Sequence, residues 1–214
     1  MIGLKIKYIG SSNEPALSTN TDYIVYGGEF SLNNNVREYS EFRIENDHGS
    51  IIPYDANKFI IIIDINNNYI INKMVDNRFK FNYKNIAYDK FWSMLYDEAG
   101  TSIDDFRVAK KELYSSELTK EEIKNRLIGS NIDERDFVAN VLIEDKNCKF
   151  IEYAIEFCNE ELNKWIDAVN LESLFKYLSK FENDKVNDFF IKYLSENEKG
   201  HEVLDEIVYN YFEK

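Results

Sequence analysis

The stretch EFRIENDHGSIIPYDANKFIIII, residues 41–63, decides the fold class of the first part of the chain. Across 41–45, apolar Phe42 and Ile44 alternate with Arg43 and Glu45. A period of two marks a half-buried strand, because successive side chains of extended backbone point to opposite faces. Asn46-Asp47-His48-Gly49 reads as a tight hairpin, with Gly49 where a positive φ is needed. Ile51 and Ile52 resume extended chain, and Pro53, lacking an amide hydrogen, confines that strand to an edge or an end. Asp55-Ala56-Asn57 reads as one helical turn, and Phe59–Ile63 as a closing strand.

Toward the N-terminus, Ile2, Leu4, Ile6 and Tyr8 alternate with Gly3, Lys5 and Lys7, which predicts an opening strand. Ser11-Ser12-Asn13-Glu14-Pro15 reads as a loop, and D-Y-I-V-Y over 22–26 as a second strand that Gly27-Gly28 ends or bends. Asn33-Asn34-Asn35 is a turn by composition. Five short strands in about 65 residues predict a small, strongly bent β-barrel.

The order of these pieces resembles the small SH3-like barrels of many low-GC bacterial proteins. The resemblance rests on Tyr23-Ile24-Val25, Phe42-Arg43-Ile44, Asp47-His48-Gly49, Pro53-Tyr54 and Phe59-Ile60-Ile61. Thr21-Asp22 stands where that family usually has Gly-Lys before the second strand. Some of its members are immunity proteins of toxin–immunity pairs, so the resemblance implies a barrel and, for some members, inhibition of a toxin. Within Phe59–Ile63 both faces are apolar, where an exposed outer face is normally polar. Ile60 and Ile62 are therefore expected to pack against the rest of the chain.

Asn66-Asn67-Asn68 breaks the pattern, and residues 69–75 and 78–83, split by Asp76-Asn77, read as a β-hairpin bridging two parts. From Ile86 the period becomes helical. Phe91, Trp92, Leu95 and Tyr96 form one stripe, stopped by Gly100. Ser102 is expected to cap a helix buried through Phe106, Ala109, Leu113 and Tyr114. Thr119-Lys120-Glu121-Glu122 is a capping box, and Asp133 is expected to cap the helix after it. Further helices fall at 149–157, 162–169 (with Trp165 and Ile166), 171–181, 185–194 and, after a break at Gly200, 203–212. Residues 174–178 and 189–194 look alike, as stacked helices do. The expected fold is thus α+β: a 1–66 SH3-like β-barrel, a 67–85 bridging β-hairpin, and an 86–214 acidic helical domain forming a bundle or short solenoid.

Charge separates the same parts. The chain of 214 residues has a net charge of −13. Residues 1–85 carry 10 acids and 9 bases, whereas 86–214 carry 29 and 17. Direct binding to nucleic acid is disfavoured, because phosphate contacts need clustered Lys and Arg; a basic protein partner is favoured instead. No apolar run approaches the ~20 residues of a membrane span. Cys148 and Cys158 lie ten apart on predicted helix, about 15 Å, too far for a bridge. Free thiols and the lack of a leader pattern at Met1 point to the cytoplasm, with no membrane association.

The motifs of reactive sites are missing. His48 and His201 are the two histidines, one at a hairpin tip and one at a helix start, and both are expected to be ordinary exposed residues. No His-Glu-x-x-His, Cys-x-x-Cys or Gly-x-Ser-x-Gly occurs, and Gly27-Gly28 lacks the rhythm of a phosphate loop. Neither metal, cofactor nor catalytic residues are assigned, and enzymatic activity is not expected. Acid pairs such as Asp104-Asp105 and Glu160-Glu161 sit at helix ends, where capping and the helix dipole account for them. The reading is a non-catalytic protein-binding inhibitor: an immunity protein that neutralises a basic partner, such as a toxin, by occluding its active site. Glu152, Glu156, Asn159, Glu160 and Asn163 share one polar helical face and are the candidate partner-binding residues. Two alternatives stand beside it, and a regulatory or scaffold module whose barrel holds a peptide is a third possibility. A phage-encoded anti-defence or nucleic-acid-mimicking inhibitor would need a continuous acidic stripe, which Lys176, Lys180, Lys185 and Lys192 interrupt. An enzyme with a dispersed carboxylate site would need a deep pocket.

Overall fold

A computed structural model of the chain describes residues 3–10, 16–164, 168–196 and 201–213. The readings placed on Ile2, on the 11–15 loop, on Trp165 and Ile166 and on the break at Gly200 lie outside the described residues. The chain is α+β, with an antiparallel sheet of seven strands followed by helices. Its contacts gather into two compact units, 1–118 and 119–214.

The first unit is built on one long strand. β1 (Lys5–Tyr8), β2 (Asp22–Asn33), β3 (Val36–Glu45), β4 (Ile51–Asp55), β5 (Phe59–Ile63), β6 (Tyr69–Lys73) and β7 (Arg78–Tyr83) are joined antiparallel. β3 follows β2 from Val25 to Asn33. Along its other edge β2 serves two partners in turn: β1 opposite Asp22 to Ile24, then β7 opposite Gly27 to Ser31. β5 extends the first ladder and β6 the second. Gly27-Gly28 therefore bends the second strand without ending it, and the register slips between Val25 and Gly27. A Cβ on Gly28 would lie 2.1 Å from the Glu41 carbonyl oxygen, so only glycine lets the backbones approach there.

Where the two ladders part, Tyr69 fills the gap. Its hydroxyl donates to the Val25 carbonyl (2.7 Å) and accepts from the Leu4 amide (3.0 Å), so neither buried backbone group is orphaned. Burial pushes this phenol well above its ordinary pKa, which keeps it a donor. Around it Leu4, Ile6, Val25, Phe42, Ile44 and Phe81 are wholly buried. The rings of Phe30, Tyr39, Phe42 and Phe81 meet at 5.1–6.1 Å between centroids.

β5 departs from expectation. Ile60, Ile61 and Ile62 are 46, 43 and 45% exposed. β5 is paired with β1 alone, at the end of the strand order, and a register slip sets Lys5 opposite Ile63 but Ile6 opposite Ile61. Burial of Ile60 and Ile62, expected because both faces of the strand are apolar, is therefore not found: β5 is an edge strand and these side chains stay open to solvent.

The 69–83 hairpin forms as expected, with Asp76 and Asn77 in left-handed conformation at its turn. Its place differs from the expected bridge, since β7 is a full member of the β2 ladder. Two helices, α1 (Phe91–Tyr96) and α2 (Ser102–Glu117), also belong to this first unit. Lys110 of α2 donates to both carboxylate oxygens of Glu45 at 2.8 Å, a largely buried pair. The Glu112 carboxylate accepts from Tyr83 and Asn85 at 3.0 Å each. Trp92 of α1 donates to Asn82 (2.8 Å) and lies under the Arg43 guanidinium. These bonds carry the boundary of the unit to 118, past the 66 and 85 expected from composition.

The second unit contains α3 (Lys120–Leu127), α4 (Ile132–Glu144), α5 (Ile151–Leu162), α6 (Glu172–Leu178), α7 (Asp184–Glu196) and α8 (Glu202–Phe212). The capping box at Thr119 and Glu122 is present. Asn131, not Asp133, caps α4 by accepting the Glu134 amide at 3.0 Å, and Thr101, not Ser102, is the N-cap residue of α2. The look-alike segments do face each other: Phe175 of α6 meets Phe189, Phe190 and Tyr193 of α7 at 5.1–5.5 Å.

Two measurements test this unit-by-unit account. Tyr69→Phe leaves the Leu4 N–H and Val25 C=O without their partner, and urea unfolding should show a loss of roughly 1–3 kcal/mol with an unchanged slope; no loss would remove Tyr69 from the junction. Burial alone would raise the Glu112 carboxyl, but bonds from Asn85, Lys84 and Tyr83 outweigh it and hold it below the usual range. A lowered folded pKa gives stability that is full above the unfolded value, about 4.3, and is lost as pH falls through the folded one. Glu112→Gln should therefore be less stable than the parent at pH 7, and the difference should vanish at lower pH.

Candidate functional site

α5 places the five candidate residues. Ile151, Ala154 and Cys158 turn inward and are buried, which fixes the rotation of the helix. Glu152, Glu156 and Glu160 then lie one turn apart on the outer face and are exposed. Asn163, at the C-cap position, is exposed too, and Asn159 is half-buried. The structure thus brings all five onto one side of one helix.

Their states differ. Glu152 pairs with Lys185 of α7, whose hydrogen bond and charge hold the carboxyl below its usual range. Among the described residues, Glu156 and Glu160 make no ion pair. Asn159 turns back to donate to the Ile155 carbonyl at 3.0 Å. On the flank, Glu161 is neutralised by Lys164 at 2.8 Å. The unit as a whole holds 22 acids against 13 bases. A convex row of carboxylates has no walls to desolvate a substrate. What it supplies is a fixed negative field facing solvent.

Concave surfaces lie elsewhere. At one end of the sheet, Phe30, Tyr39, Ile61, Ile71 and Phe79 line a hollow of about 490 Å³. Asp64 accepts from Arg37 (3.3 Å) and Tyr39 on its rim. In the second unit a cavity of about 300 Å³ lies against Arg135 and Phe157. Sequence reading passed over Arg135. A signal was there: Arg135, Val138, Ala139 and Leu142 repeat at i, i+3, i+4 and i+7, and all four are buried, so this arginine occupies a core position of α4.

The two histidines stay apart. His48 is exposed in the hairpin beside Gly49. His201, expected to be exposed, is half-buried at the N-cap of α8. No three His, Cys, Asp or Glu side chains among the described residues gather as a metal site requires. No helix among them is long and apolar enough to cross a membrane. No protein-family profile matches the chain, and no curated protein or solved structure matches it either.

Cys148 and Cys158 are both free, but Cys148 is exposed whereas Cys158 is fully buried and its thiol is pushed far up by burial. One thiol per folded chain should react promptly with a disulfide reagent, and the second only in denaturant. Two fast thiols in the folded protein would displace Cys158 from the packed face of α5.

Proposed function

We propose that this chain is a non-catalytic protein-binding inhibitor, an immunity protein that neutralises a basic partner such as a toxin. The observation that carries the reading is the outward row of Glu152, Glu156 and Glu160 on α5, within a unit whose acids far outnumber its bases. Opposite charge accelerates encounter, and the occupied surface of the partner is then closed to its substrate. The site residues proposed are Glu152, Glu156, Asn159, Glu160 and Asn163. Glu156 and Glu160 contribute most, because Glu152 is engaged by Lys185 and Asn159 by its own helix.

The finer fold assignment belongs to the same proposal. The strand order β4-β3-β2-β1-β5, with a 3-10 turn leading into β5, supports a small SH3-like barrel to which the β6–β7 hairpin is added. The packing of α6 on both α7 and α8 supports a bundle or short solenoid in the second unit. A cytoplasmic site of action follows from the same reading.

The test uses the product of the neighbouring reading frame, expressed with and without this chain. Restored growth and co-purification are expected. Changing Glu152, Glu156 and Glu160 together to Lys should slow association by ~10- to 10³-fold at low salt, and the parent complex should form more slowly as salt rises. A neighbouring product that is neither toxic nor bound overturns the toxin assignment, and an unchanged rate in the triple variant overturns the α5 site.

A further inference from the structure

Arg135 of α4 is 4% exposed, yet it meets no carboxylate at ion-pair distance among the described residues. Its Nη1 donates to the Asn170 carbonyl at 2.5 Å and its Nη2 to the Gly129 carbonyl. Its Nε is buried and has no hydrogen-bond partner among the described residues. The guanidinium carbon lies 4.8 Å from the centroid of the Phe157 ring. Two neutral carbonyls and a ring face solvate a cation without cancelling its charge, and a buried charge left uncompensated by the described residues is costly.

Nearby acids among the described residues do not cancel it either. Glu161 lines the same cavity but is bonded to Lys164. The buried thiol of Cys158 stays neutral, and Asp136 points to solvent. The rest of the lining joins apolar Ile128, Ile132, Phe157 and Leu171 to Gly129, Ser130 and Asn170. A volume of about 300 Å³ sits at the small end of ligand pockets.

We propose that this cavity binds a small monocarboxylate with an apolar stem, the carboxylate seated on Arg135 and the stem against Ile132, Phe157 and Leu171. The guanidinium fork suits a planar carboxylate, and Nε–H supplies a donor that meets no acceptor among the described residues. One positive charge beside Glu161 favours a monoanion and disfavours a dianion such as phosphate. The site is separate from the outward row on α5 and does not depend on the inhibitor reading.

Titration calorimetry on the full chain tests this with hexanoate, hexanamide and inorganic phosphate as probes. Hexanoate should bind one per chain and saturate, with hexanamide at least tenfold weaker and phosphate not bound at the same concentration. Arg135→Gln should abolish hexanoate binding. Because that side chain also ties down Gly129 and Asn170, Ile132→Glu is the companion variant: it sets a like charge at an exposed part of the wall, should leave the thermal midpoint unchanged and should weaken hexanoate at least tenfold. Glu161→Gln should strengthen it. Absent or non-saturating hexanoate binding, equal binding of hexanamide, tighter binding of phosphate, or indifference to Ile132→Glu would each overturn the proposal.

Discussion

The first unit depends on one edge of one strand being shared. β2 must hand that edge from β1 to β7 within a few residues, and backbone hydrogen bonds permit no gap there. Gly27 and Gly28 allow the close approach of neighbouring chains, and Tyr69 supplies the donor and acceptor lost between the ladders. Everything peripheral follows from this handover. The β6–β7 hairpin becomes part of the sheet instead of a bridge, and the Asn82, Tyr83 and Asn85 side chains are delivered to α1 and α2. The unit therefore runs to Leu118.

Charge in this protein is handled in two ways. In the first unit a buried cation meets a largely buried carboxylate, Lys110 with Glu45, and the pair ties a helix to the sheet. In the second, Arg135 is buried against carbonyls and a ring while the acids of α5 face outward. An excess of carboxylate at the surface and a guanidinium unmatched among the described residues are distinct electrostatic facts. The surface field acts at long range and is screened by salt; the guanidinium acts only on what enters its cavity.

By itself the sequence determined what local rules govern. Alternation placed the strands of 41–63 and the 69–83 hairpin, the helical period placed the stripe of α5, and the box at Thr119 marked a helix start, because these signals are completed by residues a few positions apart. The acidic character of the helical part and the outward row of Glu152, Glu156 and Glu160 were legible for the same reason. Where two residues competed for one cap, as Asn131 and Asp133 did, spacing alone gave no ranking.

Only the tertiary structure decided which strand pairs with which, because ladder partners are chosen by packing over long separations and leave no local mark. It placed β7 on β2, set the limit of the first compact unit at Leu118, and left Ile60, Ile61 and Ile62 exposed on an edge strand. It also showed that Arg135 is buried with no carboxylate at ion-pair distance among the described residues, since the absence of a partner is a property of neighbours in space and of none in sequence.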